Sequence, residues 1–225
     1  MQRASDLFSE EQRERIEKAV VEAEAKTSCE IVPVVATASG RYDRAEDMIG
    51  LWAAIIAAST VWLTFPPISN ESGSWDQVPF YVGLLTLVAS IVVSFIAGVV
   101  LGNRIGWLRH LFTPRKQMLE EVSARAREIF FDKRIHHTSG ATGMLIYVSL
   151  FEHQAVVLGD QMVLEKLGQK SLDGLCRQLT EGLHQGDAVE AICSVIAQAG
   201  NQLSGPLPRA AGDVNELQNT LILID

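Results

Sequence analysis

Two long uncharged runs constrain this chain more than any other feature of its sequence. Residues 49–65 read IGLWAAIIAASTVWLTF and residues 78–102 read VPFYVGLLTLVASIVVSFIAGVVLG, without Asp, Glu, Lys, Arg or His. As helices they would be about 25 Å and about 37 Å long, against a hydrocarbon core of about 30 Å. With Pro66, Pro67 and Ile68 extending the first run, the sequence predicts transmembrane helices over 49–68 and 78–102. The alternative, two buried core helices, requires a larger domain than 225 residues readily provide.

The charges around the two runs predict how the hairpin is oriented. The connecting stretch FPPISNESGSWDQVPF (65–80) contains Glu71 and Asp76 but no Lys or Arg. The outer flanks contain the cations Arg41, Arg44, Arg104, Arg109, Arg115 and Lys116. Positive charge is retained in the cytoplasm, so we expect a multi-pass protein of the inner (plasma) membrane with both termini cytoplasmic. The N-terminal stretch MQRASDLFSEEQRER lacks an apolar segment, which predicts no secretory signal peptide.

Small residues and cations suggest two further roles around the hairpin. Ala54 and Ala58, and likewise Gly98 and Gly102, have the spacing that lets helix backbones approach closely, either within one hairpin or between two. Four cations beyond the second run are within reach of anionic lipid headgroups: Arg104, Arg109, Arg115 and Lys116. For Arg115 and Lys116, the alternative is an ordinary exposed helix start.

Composition excludes some classes of function. The net charge of −8 argues against a nucleic-acid partner, which needs clustered Lys and Arg. Cys29, Cys176 and Cys193 have no C-x-x-C spacing and are odd in number, which indicates reduced thiols and neither a disulfide framework nor a zinc site.

The chain on either side of the hairpin has α/β patterning. Before it, Ser9 and Gln12 predict a capping box, and EIVPVVAT (30–37) predicts a strand that Pro33 would place at an edge or a bulge. After it, Thr113 and Pro114 predict the N-cap and first residue of a helix. Strands follow at 142–150 and 154–160, then helices from Ser171 and after an Asp187 cap, and the tail adds a last strand or packs along the sheet.

One helix and one strand cannot form a core alone, so residues 1–48 must pair with residues 103–225. The sequence therefore predicts an α/β domain that the transmembrane hairpin, residues 49–102, interrupts.

Three stretches together resemble the TPM domain, a family once described only as a domain of unknown function. They are FSEEQRERIEKAVVEAEAKTSCEIVPVVA, TGMLIYVSLFEHQAVVLGD and the NEL near the C-terminus. More narrowly, the chain resembles a bacterial subgroup in which two transmembrane helices interrupt the domain. The resemblance implies an α/β/α sandwich. For the function, the resemblance implies the phosphatase activity that has been attributed to the family. It also implies calcium binding, which belongs to some members, or an accessory role in a membrane complex, which belongs to others.

Candidate chemical residues lie at predicted strand ends. If those ends converge, Glu30, Asp160 and Glu216 form a carboxylate cluster suited to a hard cation such as calcium. The alternatives are an Asp160 that caps the following helix and a Glu30 that is a solvated strand end. His136 and His137 lack a matched third ligand, and nothing basic flanks Cys29, so no residue is assigned a catalytic role.

We therefore expect a membrane-anchored interaction or accessory module whose partners are the lipid bilayer and another membrane protein or complex. The alternative is a membrane-tethered, metal-dependent phosphatase.

Overall fold

The computed structural model describes residues 3–64, 80–105, 110–209, 212 and 214–225 of the chain. It divides into two units. The helical hairpin is the unit Arg41–Arg115, and the α/β domain consists of Gln2–Gly40 together with Lys116–Asp225. The hairpin is thus an insertion between two parts of one domain. Its limits are wider than the predicted 49–102.

The α/β domain combines helices with the strands of one sheet. In chain order its elements are α1 (Ala4–Leu7), α2 (Glu10–Glu24), β1 (Glu30–Ala36), α5 (Arg115–Asp132, which starts at the unit boundary), β2 (Gly143–Ser149), β3 (Gln154–Gly159), α6 (Gln161–Leu167), α7 (Gln169–His184), α8 (Ala188–Leu203) and β4 (Ile222–Ile224). The hairpin contains α3 (Asp43–Thr64) and α4 (Phe80–Arg104).

The four strands form one mixed sheet in the order β3-β2-β1-β4. β1 is parallel to both neighbours, with Glu30 opposite Gly143 on β2 and Val34 opposite Ile222 on β4. β3 is antiparallel to β2, as the predicted β-hairpin requires. The turn between them includes His153 at φ 52°, a left-handed conformation. The tail therefore ends as a strand of the sheet, which was one of its two predicted arrangements.

Helices cover both faces of the sheet because side chains alternate along each strand. One set of buried residues joins the sheet to α2, α6, α7 and α8, and includes Ile31, Val35, Ile146 and Val157. The opposite set joins it to α5, and includes Val32, Val34, Leu145 and Tyr147. The predicted α/β/α sandwich is confirmed.

Local signals set several helix ends where the sequence predicts them. Ser9 and Gln12 form the reciprocal capping box, and the Asp187 carboxylate accepts from the Glu190 amide at 2.9 Å. By contrast, α5 begins at Arg115, one residue after the predicted first position at Pro114. α7 begins at Gln169, two residues before the predicted Ser171.

Pro33 does not mark an edge strand, because β1 lies between β2 and β4. The amides of Ile31 and Thr37 point toward the β4 side, where they donate to Glu24 and to the Ile224 carbonyl. Pro33 is two residues after Ile31, so its backbone nitrogen also faces the β4 side. The pairing with β4 begins only at Val34, so the missing N–H of Pro33 falls where β1 has no strand partner on that side.

Within the hairpin, glycines let α3 and α4 approach closely. A Cβ added at Gly98 would lie 2.8 Å from the Gly50 Cα, and one at Gly102 would lie 2.9 Å from the Ile49 Cδ1. A larger side chain at either position would push the two helices apart. Gly98 and Gly102 therefore contribute to the α3–α4 contact inside one hairpin.

Candidate functional site

The three predicted carboxylates lie at the same end of the sheet. Glu30 begins β1 opposite Gly143, the first residue of β2. Asp160 follows the antiparallel β3, and its amide donates to the Gly143 carbonyl at 2.8 Å. The segment that contains Glu216 comes back to this end, where its amide donates to the Glu30 carboxylate at 3.3 Å.

Hydrogen bonds to the protein already engage Glu30 and Glu216. The Glu30 carboxylate is only 6% exposed and accepts from the amides of Glu216 and Leu217, the latter at 3.2 Å. The Glu216 carboxylate accepts from the Ser139 amide at 3.0 Å and from its hydroxyl at 2.6 Å. These contacts hold the C-terminal segment against the starts of β1 and β2.

A fourth carboxylate, Glu24, joins this end of the sheet and was not among the predicted residues. It accepts from the Ile31 amide at 2.9 Å and from the Asn219 side chain at 2.8 Å. Burial raises the pKa of Glu24 to about 7, and the nearby charge of Glu30 adds to the effect. One signal in the sequence was available, because Glu24 is four residues after the buried Val20 and so continues the apolar stripe of α2.

Asp160 is the N-cap of α6, the simpler of its two predicted roles. Its Oδ1 accepts from the Gln161 amide at 2.8 Å. Its Oδ2 is buried and accepts no hydrogen bond from the part of the chain that the structure describes.

Calcium requires several oxygen ligands around one point. Among residues 3–64, 80–105, 110–209, 212 and 214–225, no three His, Cys, Asp or Glu side chains are grouped so that they hold a metal ion. Glu30, Asp160 and Glu216 therefore share a sheet end without forming such a group, and calcium binding stays a prediction.

A second polar cluster lies at the opposite end of the sheet. Glu152 is 2% exposed, and its carboxylate accepts from the amides of Ser39 and Gly40 at 2.8 and 3.3 Å and from the Ser149 hydroxyl. The Ser39 hydroxyl in turn contacts those of Tyr147 and Ser149. Burial raises the pKa of Tyr147, which keeps its phenol neutral. The cluster fixes the last residues of the domain before the hairpin begins.

The cysteines do not have the environment of a nucleophile. All three are free thiols, and burial raises the pKa of each of them. Raised pKa values leave little thiolate at neutral pH.

The predicted packing and headgroup residues lie in different environments. Ala54 is buried in the hairpin, whereas Ala58 is partly exposed. Arg104, Arg115 and Lys116 are exposed, and Lys116 lies 3.8 Å from Glu120. Arg109 lies outside the described residues, as do residues 65–79 of the connecting stretch, including Glu71 and Asp76.

Large apolar side chains cover the outside of the hairpin. Leu63 is 82% exposed and Val93 is 66% exposed. Both helices are long and apolar enough to cross a membrane. The architecture is thus a three-layer α/β domain with an inserted pair of long apolar helices.

Comparisons with known proteins support the fold. The chain is similar to the BA42 protein from the psychrophilic bacterium Bizionia argentinensis, whose structure was determined by NMR, with a TM-score of 0.57 and 16% sequence identity over 96% of this chain and 94% of that one. BA42 is a structurally characterised protein of the TPM-domain family. No family model matches the chain, and no curated protein matches it either. At this identity, the similarity shows the fold alone.

Proposed function

We propose that this protein is a membrane-anchored, TPM-like interaction module. In this proposal α3 and α4 span the inner membrane and the α/β domain lies at its cytoplasmic face, where it binds another membrane protein or complex. The observation that carries the proposal is the exposed apolar surface of the hairpin. Exposed patches of this kind mark membrane or protein contacts, and both helices are long enough to cross a bilayer.

The flanking charges support the orientation. Arg41 and Arg44 are exposed before or at the start of α3, and Arg104 is exposed at the end of α4. The contact of Gly102 with Ile49 brings these ends of the two helices together, so the cations share one end of the hairpin. With Arg109, Arg115 and Lys116 further along the chain, they would remain on the cytoplasmic side and contact anionic headgroups.

The interaction role follows from the kind of contacts that the polar residues make. Glu30, Glu152 and Glu216 each accept bonds from backbone amides of distant segments, and Asp160 caps a helix. Such contacts hold a domain in one conformation, which suits a surface that a partner recognises.

Cysteine labelling tests the topology. We would place a cysteine at Ser74 in the connecting stretch or at the exposed Glu181 on α7. An impermeant maleimide added to intact spheroplasts should label S74C, and should label E181C only after lysis. The raised pKa values of the native thiols keep the background low. Labelling of E181C on intact spheroplasts would overturn the orientation, and release of the protein by alkaline carbonate would overturn membrane insertion.

The alternative function is a membrane-tethered phosphatase. It is favoured by the four carboxylates at one sheet end and by the buried, unpartnered Oδ2 of Asp160. The test is phosphate-ester hydrolysis by the purified protein with calcium, magnesium or chelator. Asp160→Asn keeps a capping oxygen but removes the charge, whereas Asp160→Ala removes both. Turnover that both variants lose by tenfold or more would favour the enzyme, and turnover no higher than that of a mock preparation would favour the module.

A further inference from the structure

We propose that the exposed side of α5 lies against anionic phospholipid headgroups of the bilayer, with Phe131 inserted at the interface. This inference rests on the proposed function, because it requires the hairpin to be embedded in that bilayer. It adds a surface of the α/β domain and an aromatic anchor to the headgroup contacts proposed for the flanking cations.

The two helical layers of the domain differ in charge. α5 and the turn after it, residues 115–134, contain six Arg and Lys against four Asp and Glu. On the other face of the sheet, residues 4–24 contain seven acidic and three basic residues, and residues 161–203 contain five acidic and three basic residues. The anionic surface of a cytoplasmic leaflet attracts the first layer and repels the second. The charge distribution therefore favours one side of the domain for membrane contact.

The exposed residues of α5 form a continuous stripe. Lys116, Glu120, Ala124, Arg127 and Phe131 follow one another at intervals of three or four residues, and all five are exposed. The pairing of Lys116 with Glu120 is long and solvated, so it leaves the cation able to bind phosphate.

Phe131 gives the stripe an apolar anchor. It is 59% exposed, and in the chain it is followed by Asp132 and then by the two cations Lys133 and Arg134. Its ring contacts those of His136 and Phe130, with centroids 4.8 and 6.1 Å away, so neighbouring rings support it. An aromatic ring beside two cations is the combination that binds at the boundary between headgroups and acyl chains.

The acidic layer provides a matched control position. Val21 on α2 is 50% exposed, much like Phe131, but Glu22 follows it in the chain and Glu17 lies one helical turn before it. The inference therefore predicts lipid contact at position 131 and none at position 21.

Photo-crosslinking tests this difference in the full-length protein. Benzoylphenylalanine would replace Phe131 or Val21, and each protein would be reconstituted into vesicles of one part phosphatidylglycerol to two parts phosphatidylcholine. Adducts would be identified by mass. We expect at least tenfold more phosphatidylglycerol adduct at position 131 than at position 21. Lys133→Glu should lower the yield at 131 about fivefold or more, because it replaces a cation near the surface with an anion. Lys18→Glu, on the acidic layer, should leave that yield unchanged.

The outcomes separate this inference from the function on which it rests. A protein that does not float with the vesicles refutes membrane anchoring, and with it this inference. A protein that floats but gives equal adduct yields at positions 131 and 21 refutes this inference alone. The same crosslinking in native membranes adds one more outcome. If position 131 forms adducts with a protein and none with lipid, the surface is a protein-binding site and lipid contact is overturned.

Discussion

Replacement of Glu24 by Gln should stabilise the α/β domain above neutral pH. Burial and the charge of Glu30 raise the pKa of Glu24 from 4.5 to about 7, whereas Arg209 and the hydrogen bonds from Ile31 and Asn219 oppose the shift. The folded protein therefore binds this proton more tightly than the unfolded chain does. The contribution of Glu24 to the free energy of unfolding is therefore greatest below pH 4.5, falls as the pH rises toward 7, and stays reduced above pH 7.

The magnitude follows from the size of the pKa shift. At about 1.4 kcal/mol per pKa unit, ionised Glu24 costs about 3 kcal/mol at most. Because the side chain is only partly buried, solvent screening reduces this cost to about 1–2 kcal/mol. The glutamine oxygen can still accept from Ile31. The Asn219 carboxamide can rotate to accept from the new amide if the exposed Asn215 carboxamide, which now donates to the Asn219 Oδ1 at 2.8 Å, rotates with it. We therefore expect Glu24→Gln to gain about 1–2 kcal/mol at pH 8 and almost nothing at pH 4.5.

Pulse proteolysis in urea measures this gain in the detergent-solubilised protein at several pH values, because it reports the unfolded fraction without an optical probe. Glu22→Gln makes the same change at an exposed position of the same helix and should have no effect. A Glu24→Gln protein less stable than wild type at pH 8, or an equal gain at both pH values, would contradict a stability cost from ionised Glu24.

Three further changes test other features by the same measurement or by melting. Arg134 has a φ of 55°, so Arg134→Gly should add about 0.5–1 kcal/mol to the stability of the domain, and a loss would contradict this. Glu152→Ala leaves the partly buried amide of Ser39 without its acceptor and should cost about 2–4 kcal/mol. Glu152→Gln keeps an acceptor and should cost less; equal losses would show that this acceptor is unimportant. Gly98→Val should lower the melting temperature of the hairpin in detergent, because its Cβ would meet α3, whereas Ala97→Val at an exposed position should not.

Local patterns predicted much of this fold. The capping box at Ser9, the cap at Asp187 and the strands on either side of the turn at His153 all depend on residues near one another in sequence. Pro33 was harder to interpret. A proline cannot donate a backbone hydrogen bond to a neighbouring strand, but the sequence does not show on which side of β1, or along which part of it, that strand is missing. Only the late start of β4, at Ile222 opposite Val34, explains its position.

The candidate site was only partly predictable for the same reason. Glu30 and Glu216 meet because β4 returns parallel to β1, and no local pattern reports a contact across 186 residues. Glu24 was missed because an acidic residue at a helix end usually faces solvent, and its partner Asn219 is 195 residues away in sequence. Gly98 and Gly102 left two arrangements open, and the structure places them inside one hairpin.

The insertion of the hairpin between β1 and β2 has a consequence for biosynthesis. When β1 leaves the ribosome, its partner β2, in which Gly143 lies opposite Glu30, has not been made. At a synthesis rate of about 5–20 residues per second, β2 follows several seconds later. Both apolar helices emerge during that interval. In the proposed function, the machinery that inserts them into the membrane would act on a chain without a sheet. The anchor would then be placed before the domain has folded, and the two halves of the domain would pair only afterwards.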